Sequence, residues 1–260
     1  ELAWYGRFDL LVTHDPLPAE QVEALHRAGT RLLFYEWSVA VYATLARERR
    51  FEKSLLRESP GAFLNRKGLR GGVGDAALDA LYFDPAAPGI AAGRARALAA
   101  RVSSARYDGV FLDTLTAASV HPEALAEFTS RHPGTAYDDA FSRFLAALRR
   151  ELGSRLIFTN QGYRAAPSIL PFADLDLTES YMVGLEGKSH RRRPWNDPEK
   201  PWTSARFVVD ALVGPHRRSF PGTRFVHLGY VSEKDPGAVA YAVAAARLLG
   251  DEAYVVAPRP

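Results

Sequence analysis

Short apolar runs with strand character alternate with helical patterns from one end of the chain to the other, and this alternation restricts the fold more than any other feature of the sequence. Runs at 8–13, 31–35, 78–83, 110–112, 156–159, 175–178, 224–228 and 253–257 are rich in β-branched, leucine and aromatic residues, and each stops at polar or turn-forming residues. Helical patterns fill the connections: from Pro18 to a cap at Gly29, then at 39–50, 90–106, 137–152, 165–172 and 203–213, and from Asp235 to residue 249. Such alternation predicts a parallel sheet covered by helices. Eight strands with seven helical connections predict an α/β fold of the TIM-barrel type, a (β/α)8 barrel whose final helix is missing or short. A doubly wound open sheet is the competing architecture. It carries a glycine fingerprint after an early strand, and none stands there. With 260 residues and no linker, repeat or low-complexity tract, a single domain over 1–260 is expected.

Composition removes several classes of function. The formal charge is +3, and the arginines are spread along the chain rather than gathered in a stripe, so a nucleic-acid partner is not expected. There is no cysteine for a disulfide, a thiolate metal site or a thiol nucleophile. No run approaches the ~20 apolar residues of a membrane span, so no integral membrane segment is expected. The Gly68 to Gly74 segment precedes a strand instead of joining a strand to a helix, which makes it a connection and not a phosphate cradle. No Gly-x-Ser-x-Gly elbow is present. The chain opens on Glu1 and not on Met, which fits a processed start; a secreted or cell-envelope protein of a bacterium is the expectation.

In a barrel of parallel strands every carboxyl end arrives at one face. That face would collect His14, Asp15, Glu36, Asp84, Asp113, Asn160, Gln161, Glu179, His227 and Tyr230. Carboxylates, amides and aromatic rings in one cleft suit a carbohydrate, whose rings stack on aromatic faces and whose hydroxyls bond to carboxylates and amides. Asp113 after the fourth strand and Glu179 after the sixth are placed to divide the work of breaking a glycosidic bond, one as acid, the other as nucleophile or base. Strand spacing alone leaves retention and inversion of configuration both open. An Asp in the position of Asp113 also suits a cap of the segment that follows. Asp84, Asp113 and Glu179 with His14 or His227 form a possible metal set, but no His-x-His or HExxH spacing supports one, and no metal or cofactor is expected.

The run Tyr107-Asp108-Gly109-Val110-Phe111-Leu112-Asp113-Thr114 resembles the signature of the glycoside hydrolase family 114-like barrels, whose founding activity is endo-α-1,4-polygalactosaminidase. Residues Trp4 to Asp9, Asn160-Gln161-Gly162 and Thr178-Glu179-Ser180 fall in the order such proteins show. The resemblance implies a barrel glycosidase in which Asp113 is the nucleophile and Glu179 the acid/base, with retention at the anomeric carbon. Tyr5, Glu36, Asp84, Asn160, Tyr181 and Tyr230 are the expected substrate contacts. The sequence departs from the family pattern at Glu36-Trp37 and at Arg191, Arg192 and Arg193, which stand near Trp195 and Trp202. Three arginines beside a cleft repel a cationic amino-sugar polymer, so a neutral or anionic poly- or oligosaccharide is the expected substrate. A glycan-binding barrel without activity, part of a larger cell-surface protein, and a metal-dependent hydrolase are the alternatives.

Overall fold

A strand overlaps each of the eight apolar runs in the computed structural model, which describes residues 2–70, 79–179, 182–186, 189–192, 196–199, 204–231, 235–248 and 250–256. The chain divides into two units, Glu1–Ile157 and Phe158–Pro260.

The first unit holds β1 (Leu10–Thr13), β2 (Arg31–Trp37), β3 (Ala40–Tyr42), β4 (Phe63–Arg70), β5 (Asp79–Phe83), β6 (Gly109–Asp113) and the beginning of β7 (Leu156–Asn160). Strands β1, β2 and β6 are parallel neighbours in that order. The start of β7 joins them through Leu156 N–H, which donates to the carbonyl of Asp108 at 2.9 Å. Gly109 makes this approach possible, since a Cβ built there would lie 2.1 Å from the Leu156 carbonyl oxygen. Along β2, residues 32, 33, 34 and 36 are buried while 35 and 37 are half-buried. Its carboxyl half therefore alternates between a covered face and an open one.

Helix Tyr137–Leu152 has the bounds its periodicity predicts, and Phe141, Phe144, Leu145 and Leu148 of its apolar face are all buried. It packs beside helix Ile90–Ser104. The sequence pattern passed over helix Pro122–Arg131, which has proline in its first turn and His121 as N-cap, the imidazole Nδ1 accepting from Glu123 N–H at 3.3 Å.

Two expectations fail in this unit. The run at 78–83 is a strand, but β5 pairs antiparallel with β3 on one side and β4 on the other, in a separate three-stranded sheet. Among the described residues the parallel strands therefore number seven, not eight. A run buried on both faces is equally apolar whichever way its neighbours point, so hydrophobicity carried no sign of the partner. The helix expected at 39–50 begins instead with β3, and only Ala43–Glu48 and Arg50–Glu58 are helical. Val41 and Tyr42 favour extended backbone, and Val39 to Val41 are buried beside β5.

The second unit continues β7 into β8 (Leu175–Glu179), the antiparallel pair β9 (Val183–Glu186) and β10 (Ser189–Arg192), β11 (Arg224–Tyr230) and β12 (Glu252–Val256). Here β7, β8, β11 and β12 are parallel in that order. Asp235 caps helix Pro236–Leu248 as its sequence position suggests, accepting from Ala238 N–H at 2.9 Å. The small face of that helix brings Ala242 and Ala245 into a core shared with Tyr163, Leu170, Val183 and Phe225. The helix expected at 203–213 is a succession of pieces, Ala205–Phe207, Val208–Val213 and Gly214–Ser219.

The β6–β7 approach is testable. Gly109→Ala forces backbone apart where no flexible side chain can yield, and should lower the stability to unfolding by more than about 2 kcal/mol. The midpoint of urea denaturation measures this, and an unchanged midpoint would contradict the described approach.

Candidate active site

In parallel strands, residues in register point to the same face. Trp37 is in register with Asp113, and Tyr35 with Phe111, so these four side chains share the open face of the first unit. The Tyr35 hydroxyl donates to Asp113 Oδ2 at 2.6 Å, and the Thr114 N–H donates to Oδ1 at 2.8 Å. Both carboxylate oxygens are thus engaged and the group is fixed in orientation. Thr114 has φ of 51°, the left-handed region that a β-branched residue rarely adopts, and its hydroxyl donates to the Asp113 carbonyl at 2.8 Å. Burial, with the neighbouring Asp113 charge, raises the Tyr35 phenol far above its ordinary range, so Tyr35 stays protonated as a donor.

Aromatic rings line the same region. His14 stacks on Tyr35 with centroids 4.0 Å apart, and Tyr35 lies over Phe111 at 6.0 Å. Trp37 packs against Tyr42 at 4.8 Å and Tyr82 at 6.3 Å. The expected contact Tyr5 is not among them: it lies in the N-terminal turn Leu2–Tyr5, edge-on to Trp4 at 5.2 Å, where the chain enters β1 and Gly6 abuts Ala28 at the end of helix Ala19–Arg27, at the amino and not the carboxyl end of the strands. Tyr35 and Trp37 were absent from the expected contacts. Counting by twos from Asp113 across the β2–β6 register would have found both.

The same count explains why Glu36 is not a sugar contact. It points to the covered face, 2% exposed, where Arg49 lies 3.2 Å from Oε2, Arg101 3.2 Å from Oε1 and Arg94 3.8 Å from Oε1. Burial alone would raise its pKa, but the guanidiniums of Arg101, Arg49 and Arg94 hold the carboxyl below its ordinary value of 4.5. Arg94, its own pKa lowered by burial to about 10, donates to the Ser38 carbonyl at 2.7 Å and lies 3.6 Å over the Phe83 ring. Asp84 is likewise taken out of the expected set. It is 2% exposed and bound by Arg131 at 3.3 Å, by His132 at 3.0 Å and by Ala86 N–H at 3.1 Å, so it fastens helix Pro122–Arg131 to β5.

In the second unit the register puts Asn160 beside Leu177, and Glu179 beside Leu228, on one face. Asn160 Nδ2 donates to Glu179 Oε2 at 3.1 Å, Gln161 Nε2 donates to the same oxygen at 3.3 Å, and the Tyr230 hydroxyl donates to Oε1. The expected residues Asn160 and Tyr230 therefore meet at Glu179, with Gln161 added. Gln161 has φ of 56°, again left-handed and not glycine. His227 faces the other way, buried and 2.6 Å from Asp251, which also pairs with Arg217. Tyr181, Arg193, Trp195 and Trp202 lie outside the described residues. Arg191 and Arg192 belong to β10. Among the described residues no three of His, Asp and Glu converge as a metal site requires.

No protein-family model matches the chain, and no curated protein matches it in sequence. Solved structures do. The glycoside hydrolase domain of PelA from Pseudomonas aeruginosa superposes with a TM-score of 0.68 at 21% identity, over 99% of this chain and 90% of that one. Aspergillus fumigatus Ega3, solved in complex with galactosamine, gives 0.54 at 12% identity, over 95% and 83% of the two chains. The α-galactosidase of Thermus thermophilus gives 0.58 at 16% identity, over 97% of this chain and 52% of that one. The chain has the α/β fold of these TIM-barrel-type glycoside hydrolases.

The Glu36 cluster makes its own prediction. Glu36→Gln leaves three guanidiniums without their shared counter-ion and should cost about 2–3 kcal/mol; the partial exposure of Arg49 and Arg101 keeps the loss at the low end for a buried pair. Because the folded carboxyl is held below 4.5, the cluster's contribution is complete above that pH and is lost as pH falls through the lower folded value. Urea denaturation of both proteins across pH should show a gap that closes on the acid side, and a gap independent of pH would contradict the ion cluster.

Proposed function

We propose that the protein is a glycoside hydrolase in which Asp113 and Glu179 are the catalytic carboxylates. One observation carries the reading. Each of the two ends a parallel strand on its open face and is oriented by directed donors, Tyr35 and the Thr114 N–H on Asp113, and Asn160, Gln161 and Tyr230 on Glu179. Such fixing is what a group needs if it is to meet a reacting atom without first reorganising. The likeness in fold to glycoside hydrolase domains supports the same reading.

Asp113 acts as nucleophile on the anomeric carbon. Glu179 protonates the leaving oxygen and then deprotonates the incoming water, so the configuration is retained. A hydroxyl and a peptide N–H on Asp113 hold the attacking oxygen in place and steady its charge as the glycosyl–enzyme bond breaks. The substrate is an α-linked poly- or oligosaccharide, neutral or anionic, since the formal charge of +3 and the sequence Arg191-Arg192-Arg193 disfavour a cationic chain. Trp37 and Tyr42 offer ring faces for a sugar, with Tyr181, Asn160 and Tyr230 as further contacts. We place the enzyme, as one catalytic domain, in the secreted or cell-envelope fraction of a bacterium. No described helix is long and apolar enough to cross a membrane.

A panel of α-linked oligosaccharides, with galactosamine oligomers as the cationic member, should give hydrolysis of a neutral or anionic member. Product anomers followed by proton NMR should show retention. Asp113→Asn and Glu179→Gln should each lower kcat by about a thousandfold or more with the circular dichroism spectrum unchanged. Full turnover by either folded variant would refute the assignment.

A further inference from the structure

Beneath the turn that carries Asn160 and Gln161 lies a carboxylate that the reaction itself does not use. Asp176, the second residue of β8, is fully buried on the face opposite Glu179. Its Oδ1 accepts from Thr159 Oγ1 at 2.6 Å and from Gly162 N–H at 2.7 Å, and its Oδ2 accepts from Tyr163 N–H at 3.0 Å. One side chain thus satisfies two successive backbone donors of the turn and the hydroxyl of the strand that leads into it. The fit is tight, since a Cβ at position 162 would lie 2.9 Å from Asp176 Oδ1 and 2.8 Å from Ile169 Cγ2, so only glycine lets the turn settle on the carboxylate. Directly above, the left-handed Gln161 and its neighbour Asn160 send their amides to Glu179 Oε2.

We propose that Asp176 is a positioning residue for Glu179, a buried latch that holds the Asn160-Gln161 turn down so that its two amides grip the catalytic carboxylate. The inference rests on the role of Glu179 proposed above, and the grip itself is a feature of the fold independent of that role.

The latch is sensitive to protons. Burial pushes the Asp176 carboxyl up to about 7, although its three donors oppose the shift. The titratable and charged groups on the elements packed against it are Tyr163 and Arg164 of the turn, Arg224, His227 and Tyr230 of β11, and Glu179 of β8 itself. His227 is the one in register on the same face, and Asp251 holds it. When Asp176 is ionised all three donors are served. When it is protonated, Thr159 is the group able to accept the new O–H, because its own hydroxyl hydrogen has a second acceptor in the Leu175 carbonyl at 3.2 Å. The proton then sits on Oδ1, the oxygen that holds Gly162, and that bond weakens while the Tyr163 bond on Oδ2 persists.

Two measurements on the full chain decide the matter. In the 15N-labelled protein the Gly162 amide should titrate with a midpoint near 7 and exchange with solvent faster below it, while the Tyr163 amide exchanges at an unchanged rate. In Asp176→Asn the side-chain amide resonances of Asn160 and Gln161 should shift and the Gly162 titration should vanish. With a cleaved substrate, that variant should lose kcat about tenfold with little change in KM, because the grip acts on the reacting group and not on the sugar. If Gly162 does not titrate, or if folded Asp176→Asn leaves the Asn160 and Gln161 amides where they were, the latch is refuted. If those resonances move but Glu179→Gln keeps full activity, the latch stands and the catalytic role of Glu179 falls. A loss in Asp176→Asn confined to KM would overturn the positioning role.

Discussion

The two-residue period of a strand governs this molecule more firmly than any single contact. A carboxylate at the end of a parallel strand either reaches the open face or turns under the covering helices, and one position along the chain is the whole difference. Asp113 and Trp37 share a face because they share a register. Glu36, next to Trp37, goes the opposite way and becomes the centre of an arginine cluster. In the second unit Glu179 is open and Asp176, three residues earlier, is closed. The chain thus uses chemically similar groups for opposite purposes.

The covered carboxylates are far from inert. Glu36 draws arginines from Ala43–Glu48's far end and from helix Ile90–Ser104 onto one point, and Asp84 draws the end of Pro122–Arg131 onto β5. Burying a charge is costly unless its bonds are satisfied, and both groups are served by several donors. Each fastens a connection to a strand. Asp176 does the same with three uncharged donors and no cation, which is why its ionisation moves toward neutral pH while that of Glu36 moves away from it.

Much of this was legible in the sequence because it depends on local pattern. The eight apolar runs, the helix at 137–152 and the Asp235 cap follow from periodicity and capping chemistry. Asp113 and Glu179 were marked by an apolar run that stops at a carboxylate. The errors arose where the decisive partner was remote. Nothing within 78–83 announces that its neighbours are 40–42 and 63–70, and nothing beside Glu36 announces Arg94 and Arg101, some sixty residues on. Parity was available, however. Applied to β2 it would have excluded Glu36 and brought in Tyr35, the donor to Asp113.

Backbone conformation points to the same two places. Only three non-glycine residues among those described have positive φ, and two of them, Thr114 and Gln161, directly follow Asp113 and Asn160 at strand ends. Each such conformation costs on the order of 1–3 kcal/mol and persists only where surrounding bonds impose it. At Thr114 those bonds are its own N–H and hydroxyl to Asp113, so the strain is balanced by the residue whose carboxylate it orients. At Gln161 they are the N–H to the Leu177 carbonyl at 2.8 Å and the Asp176 latch one residue on. A chain that needed only to turn would have used glycine at both positions. At Thr114 the turned backbone sets its N–H on the Asp113 carboxylate and its hydroxyl on the Asp113 carbonyl, and at Gln161 it carries the side-chain amide to Glu179.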